Sequence, residues 1–273
     1  MISVYGAAGF VGTEVMRVLG EDALPISRNS LDCSGADEIL YLISTTTNYN
    51  VLTNPYIDIE TNLIHLVRVL ESCKHSGAVF NFVSSWFVYG DQEKLPVTEE
   101  APCKPTGFYS ITKKCAEDLV ISYCKTFDMD YRIFRLGNVY GTGDKGVSAQ
   151  KNALQYLIGE MKKDKDINLY FGGKFYRDYI HVEDVARALM FLMKKSPLND
   201  IYNVGGNNTL MFRDIIDHAK NLLGSKSIFN IIDPPSFHKI VQTKDMNLDS
   251  FKLLELGFEY KHNILKSLKD ITL

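Results

Sequence analysis

The stretch Val4-Tyr5-Gly6-Ala7-Ala8-Gly9-Phe10-Val11-Gly12, VYGAAGFVG, decides the fold. The residues before it, ISVY, are apolar enough for a buried strand. Those after it, TEVMRVLG, space apolar side chains as a helix does, with Gly20 placed to end it. Three glycines at intervals of three therefore fall on a strand-to-helix turn. The spacing is G-x-x-G-x-x-G, not G-x-G-x-x-G, but the physical demand is the same: a tight turn, close backbone approach, and an anion held on free amides at a helix N-terminus. A glycine turn can also serve helix–sheet packing alone. Its place on the first strand of a βαβ pattern points to a dinucleotide site.

Outward from this turn, apolar runs alternate with helical patterns. ALPIS is a second strand ending at Arg28, EILYLIS and AVFNFVSS are further strands, and DYRIFRL follows a helix expected over 109–127. Helices are also expected over 59–77 and 149–163. Strands apolar on both faces and separated by helices indicate an α/β chain with a parallel sheet covered on each side. After Gly141 the rhythm loosens into INLYFGG, a strand feeding the helix of RDYIHVEDVARALMFLMKK, the short strands IYNVGG and IFNIID, and two or three helices. One domain is expected over 1–140 with returning segments near 178–204, and a smaller lobe over 141–177 and 205–273.

The 273 residues carry a formal net charge of -3. That balance, with no basic run beyond 162–165, argues against nucleic acid or an anionic membrane as partner. No apolar stretch reaches a membrane span, and no cationic leader precedes the first strand. Five dispersed cysteines without a C-x-x-C pair fit free thiols in a reducing cytoplasm, with no metal site.

FYSITKK puts Tyr109 and Lys113 on one face of a helix, four residues apart. A free phenol has a pKa near about 10, and a neighbouring ammonium favours the phenolate; a fall of about three units represents roughly 4 kcal/mol. Such a pair suits proton exchange with a sugar hydroxyl or ketone while a hydride moves to or from nicotinamide. Taken alone, Y-x-x-x-K is more often a surface pair on a helix. Here the strand ending Ser84-Ser85 lies between it and the glycine turn.

Together these elements resemble the extended short-chain dehydrogenase/reductases, in particular the NAD(P)-dependent nucleotide-sugar epimerases, dehydratases and reductases. The resemblance spans nearly the whole chain and implies a Rossmann-like doubly wound sheet with a smaller C-terminal substrate-binding lobe. It implies Ser85, Tyr109 and Lys113 as catalytic residues, with Lys113 also binding the nicotinamide ribose and depressing the Tyr109 pKa. Cofactor contacts fall on Gly6, Gly9, Phe10, Val11, Gly12, Arg28, Thr45 and Lys113. Asn138 in RLGNVYG and Arg177 in RDYIHVEDVARA match substrate-binding positions, Trp86 is placed to stack on the sugar, and Asn62 in IETNL matches a supporting asparagine. A homodimer through the helices near 59–73 and 109–127 is also implied. His65 and His181 receive no task.

Three departures refine this expectation. Where 4,6-dehydratases carry an Asp-Glu pair, this chain has Trp86-Phe87, which transfer no protons; epimerisation, keto reduction or oxidation to a keto-sugar remains. A C4 epimerase or 4-keto reductase on a nucleotide-linked sugar is favoured over a sugar-nucleotide dehydrogenase or a catalytically silent cofactor-binding relative. The segment between the second strand and EILYLIS is some twenty residues short, so the adenosine side should be pared down and an edge strand lost. His238 or Lys239 stands near where a diphosphate-binding arginine is common. Arg28 tilts the cofactor toward NADP(H) over NAD(H), although a solvated arginine or the nearby Asp32 blurs that choice.

Overall fold

Successive residues of the central strands pack in opposite directions: Leu40 enters one apolar layer, and its neighbours Ile39 and Tyr41 enter the other. A strand covered on both faces requires this alternation. The computed structural model describes residues 1–272 apart from Asn29, Asp32, Ser34 and Thr243. The first half contains β1 (Ile2–Tyr5), α1 (Phe10–Leu19), β2 (Ala23–Ile26), β3 (Glu38–Tyr41), α2 (Tyr56–Ile59), α3 (His65–Cys73), β4 (Val79–Ser85), α4 (Phe108–Thr126) and β5 (Tyr131–Leu136). The second contains β6 (Asn138–Tyr140), α5 (Ala153–Met161), β7 (Ile167–Tyr170), β8 (Tyr176–His181), α6 (Val182–Lys195), β9 (Asp200–Val204), β10 (Thr209–Met211), α7 (Phe212–Leu223), β11 (Phe229–Ile232) and α8 (Ser236–Val241), followed by three short helices.

Six strands form a parallel sheet in the order β2-β1-β3-β4-β5-β9. Val15 and Leu19 of α1 and Val185 and Leu189 of α6 cover one face. Leu66 and Val69 of α3 and Ala116 and Val120 of α4 cover the other. This is the doubly wound arrangement expected from the glycine turn and the strand rhythm. Beyond it, β8 pairs parallel with β6 and antiparallel with β10, and β7 pairs parallel with β11. A separate apolar core, with Leu154 and Ile158 of α5 against Ile215 and Ile216 of α7, holds these smaller sheets.

Several boundaries differ from those the sequence suggests. The second strand stops at Ile26, two residues before Arg28, and lies at the sheet edge. Between it and β3 the described residues hold no helix; Asp32 lies outside the described residues. The helix expected from residue 149 starts at Ala153, because Asn152 takes a left-handed φ of 55° and its side chain accepts from the Gln155 amide. The helix expected as one run over 59–77 contains a π-helical turn, Glu60–Ile64, and ends at Cys73. Such turns insert one residue into the helical repeat and are frequent at functional sites. This one contains Asn62, which is buried.

Helix α4 is fixed to the sheet by a buried ion pair. Glu117 accepts from Arg135 Nε at 3.0 Å and from Nη2 at 2.7 Å, and both side chains are nearly inaccessible. The guanidinium is held protonated despite burial, because Glu117 more than offsets the desolvation. Removing one partner strands the other charge in a dry site. Glu117→Ala should therefore destabilise the protein by about 3–5 kcal/mol in urea unfolding, with Glu117→Gln losing less; a loss under about 1 kcal/mol would reduce the pair to a surface-like contact.

Candidate active site

The carboxyl ends of β1, β3, β4 and β5 open on a cleft of about 770 Å³, the position where parallel sheets bind ligands. On one wall, Gly6 turns the chain with φ +88° at the end of β1. A Cβ on Gly12 would lie 2.2 Å from the Gly6 carbonyl oxygen, so only glycine lets α1 start this close to the strand. Gly9 caps α1 without a side chain. The first amides of the helix, over Phe10, Val11 and Gly12, are left to an anion. Gly6, Gly9, Phe10, Val11 and Gly12 all line the cleft. Ser84 Oγ, on the same cleft, is buried with no hydrogen-bond partner. A cradle closed to a Cβ at Gly12 and an orphaned hydroxyl on the same cleft fit a dinucleotide.

Across the cleft, Ser85, Tyr109 and Lys113 come together. Ser85 ends β4, and its hydroxyl oxygen accepts from the Phe87 amide at 3.4 Å, capping the short 3-10 turn Trp86–Tyr89. Tyr109 stands in the first turn of α4 and is buried. Burial raises its phenol above the ordinary range, hydrogen bonding to the Ser85 and Ser44 hydroxyls pulls it back, and Asp58 raises it. Lys113 is not among these influences. The resemblance implied that Lys113 depresses the Tyr109 pKa; instead its Nζ donates to the Val83 carbonyl at 2.7 Å and lies 4.1 Å from the centre of the Phe82 ring. Burial brings the Lys113 pKa down to about 7, with Glu117 favouring the charged form.

Asn62 holds the floor between these walls. Its carbonyl accepts from the Thr45 amide at 2.9 Å and from Ser44 Oγ at 3.1 Å; its amide donates to Thr45 Oγ1 at 2.8 Å and Thr112 Oγ1 at 3.0 Å. Thr45 lines the cleft, and its hydroxyl bonds the fully buried Asp58. Sequence reading missed Asp58 and Ser44, and took Phe87 only as a residue that cannot transfer a proton. Phe87 meets the Tyr109 ring edge-on at 6.0 Å, and only its adjacency to Ser85 could have marked it.

Trp86, Asn138 and Arg177 reach the same cleft. Trp86 stacks on Phe87 at 4.0 Å and is buried with Val88, Met246 and Leu248, so packing accounts for most of its surface. Asn138 donates to the Asp178 carbonyl at 3.0 Å, locking β6 to β8. The Arg177 guanidinium lies over Phe175 at 4.6 Å and Trp86 at 5.7 Å and bonds the backbone carbonyls of Tyr176 and Lys244. His238, not Lys239, lines the cleft, with its Nδ1 2.8 Å from the Tyr49 hydroxyl. Arg28 is exposed and is not part of the cleft wall; its carbonyl faces His65 Nε2 at 3.3 Å.

Among the described residues, His181, Glu183 and His262 bring potential metal-ligand atoms within 4.8 Å of one another. The two Glu183 oxygens are already engaged by Lys261 at 2.5 Å and His262 at 3.0 Å, and His181 Nδ1 accepts from the Glu183 amide at 3.3 Å. The cluster ties the C-terminal segment to α6. No helix among the described residues is long and apolar enough to cross a membrane.

With this geometry in place, comparison with known proteins is informative. Residues 27–205 match the model of the NAD dependent epimerase/dehydratase family. A putative UDP-glucose 4-epimerase from Methanocaldococcus jannaschii is 24% identical over 99% of this chain and 97% of its own. A trifunctional UDP-glucose 4,6-dehydratase/UDP-4-keto-6-deoxy-D-glucose 3,5-epimerase/UDP-4-keto-L-rhamnose-reductase of Arabidopsis thaliana is 28% identical over 81% of this chain, which spans 33% of that protein. Among solved structures, UDP-glucuronic acid 4-epimerase from Bacillus cereus, in complex with UDP-glucuronic acid and NAD, superposes with a TM-score of 0.87 over 99% of this chain and 97% of its own at 20% identity. At that identity the likeness shows the fold.

The glycine cradle yields a direct test. Gly12→Ala places a Cβ against the Gly6 carbonyl, so NAD and NADP affinity by calorimetry should fall at least about tenfold, since the amides no longer approach the phosphates. Unchanged affinity would remove the cradle from the cofactor site.

Proposed function

The chain belongs to the NAD dependent epimerase/dehydratase family, and within it we propose a nicotinamide-dependent enzyme acting at C4 of a nucleotide-linked sugar, as a 4-epimerase. The observation that carries this reading is the pairing of Ser85 and Tyr109 on one cleft, with Trp86 and Phe87 where a dehydratase needs an acid and a base. Bound in the glycine cradle, the dinucleotide supplies hydride exchange. Gly6, Gly9, Phe10, Val11, Gly12, Thr45 and Lys113 hold it, over the domain of residues 1–140 and 178–204. The sugar nucleotide lies between that domain and the lobe of 141–177 and 205–273, with Arg177 of the lobe and Asn138 and Trp86 of the first domain as its contacts.

In this mechanism Tyr109 takes the proton of the C4 hydroxyl and returns it when the opposite face is reduced. Ser85 hydrogen-bonds the same oxygen and holds it in line with the phenol. A buried phenol is a poor base, so the phenolate needs a cation near it. Lys113 takes that role only once a bound dinucleotide draws its ammonium from the Val83 carbonyl, and Glu117 supports its protonation. The apolar ring of Phe87 against Tyr109 excludes water from the proton transfer.

A second reading is 4-keto reduction with NADPH, consuming the cofactor. Arg28 favours it: exposed just beyond the end of β2, it stands at the strand terminus where an arginine receives a 2′-phosphate. A homodimer is part of the proposal as well, through the exposed Ile57, Ile64 and Val67 beside Ile111 of α4.

The nucleotide released when purified protein is denatured separates the two readings. Stoichiometric NAD supports epimerisation, and an empty protein that binds NADPH supports reduction. Under either, Tyr109→Phe should lower kcat on UDP-linked hexoses by about 10²–10⁴-fold and leave cofactor binding intact. Unchanged turnover by that variant would contradict the assignment.

A further inference from the structure

Helix α4 carries Tyr109 in its first turn but has glycine, Gly107, at its N-cap, so no side chain of its own can accept from the third helical amide. Asn48 does this from outside the helix. Its Oδ1 accepts from the Ser110 amide at 3.3 Å, while Ser110 Oγ closes the Gly107 backbone by bonds of 2.9 Å and 2.7 Å. The approach is so close that a Cβ on Gly107 would lie 2.1 Å from Asn48 Oδ1. Glycine at the cap is thus the condition for Asn48 to cap in trans.

The other end of the same amide reaches the opposite wall. Asn48 Nδ2 donates to the carbonyl of Val241, the last residue of α8, at 3.2 Å. The next residue, Tyr49, bonds His238 of the same helix, and its ring meets Phe237 edge-on at 5.2 Å. Asn48 is almost wholly buried, and both of these bonds are buried. A single planar amide therefore joins the turn that places the phenol to the helix that presents His238 to the cleft.

We propose that Asn48 is a positioning residue coupling occupancy of the α8 wall to the placement of Tyr109. A ligand drawn against His238 moves α8, and the rigid amide carries that displacement to Ser110 and the first turn of α4. The proton-exchanging group is then aligned only when the nucleotide portion of the substrate is seated. This rests on the reading of Tyr109 as the acid/base. Asn48 itself lines the cleft, and in this inference it acts on Tyr109 through the two helices.

Two substitutions separate the halves of the amide. Asn48→Ala removes both bonds. Asn48→Asp keeps the acceptor for Ser110, at a helix N-terminus where a negative charge is favoured, and removes the donor to Val241. With the nucleotide sugar that the wild-type protein turns over, Asn48→Ala should lower kcat by about ten- to a hundredfold and raise KM. Asn48→Asp should restore most of kcat and leave KM raised severalfold. In NAD-loaded protein, hydrogen exchange of residues 108–112 should slow on adding UDP to the wild type and not in Asn48→Asp. The inference is overturned if Asn48→Ala keeps kcat and KM within about twofold of wild type, if both variants lose kcat equally, or if UDP protects the helix equally in wild type and Asn48→Asp. A wild type without turnover would overturn the proposed function, whereas the exchange comparison reads the coupling with UDP alone.

Discussion

The structure depends on the buried polar edge of α4. Ser110, Thr112, Lys113 and Glu117 all face inward with almost no exposure, on a helix that in water would bury only apolar residues. Buried polar groups of this kind cost free energy unless bonded. Each has its partner: Asn48 for Ser110, Asn62 for Thr112, the Val83 carbonyl for Lys113 and Arg135 for Glu117. The four partners come from four different parts of the chain. The helix can therefore sit in one register only, and Tyr109 is placed by that register.

The same constraint links the two halves of the cleft. Val83 and Arg135 belong to the central sheet, so the helix is referred to the strands that carry Ser85 and the glycine turn. Asn62 belongs to the π-helical turn and also fixes Thr45 on the cofactor side. Lys113 shows the cost: burial brings its pKa down to about 7, with Glu117 favouring the charged form. The phenol's shift comes from burial, the Ser85 and Ser44 hydroxyls and Asp58, while the Lys113 ammonium bonds the Val83 carbonyl. A group bound between them is what would redirect it.

Much of the fold was legible because its signals are local. Three glycines on a strand end, strands apolar on both faces, and helices between them leave few topologies open, and the structure has the parallel sheet they imply. The trio proposed as catalytic was legible for the same reason: Ser85 ends a strand, and Tyr109 and Lys113 share a helical face. Asp58, Ser44 and Asn48 were not, since each gains meaning only from a partner many residues away. The π-helical turn escaped notice because one extra residue in a helix leaves no periodic trace in so short a run. Arg28 shows the opposite limit: a plausible type at a plausible position still lies off the cleft wall.

The proposed function places a sugar C4 oxygen between the hydroxyls of Ser85 and Tyr109. A crystal structure of Tyr109→Phe with NAD and a UDP-linked hexose measures this directly. The account predicts the C4 oxygen within about 3.2 Å of Ser85 Oγ and against the vacated phenol position, with the diphosphate on the wall of Arg177 and His238. A sugar bound with C4 turned away from Ser85 and residue 109, or a UDP-sugar seated outside this cleft, would contradict it.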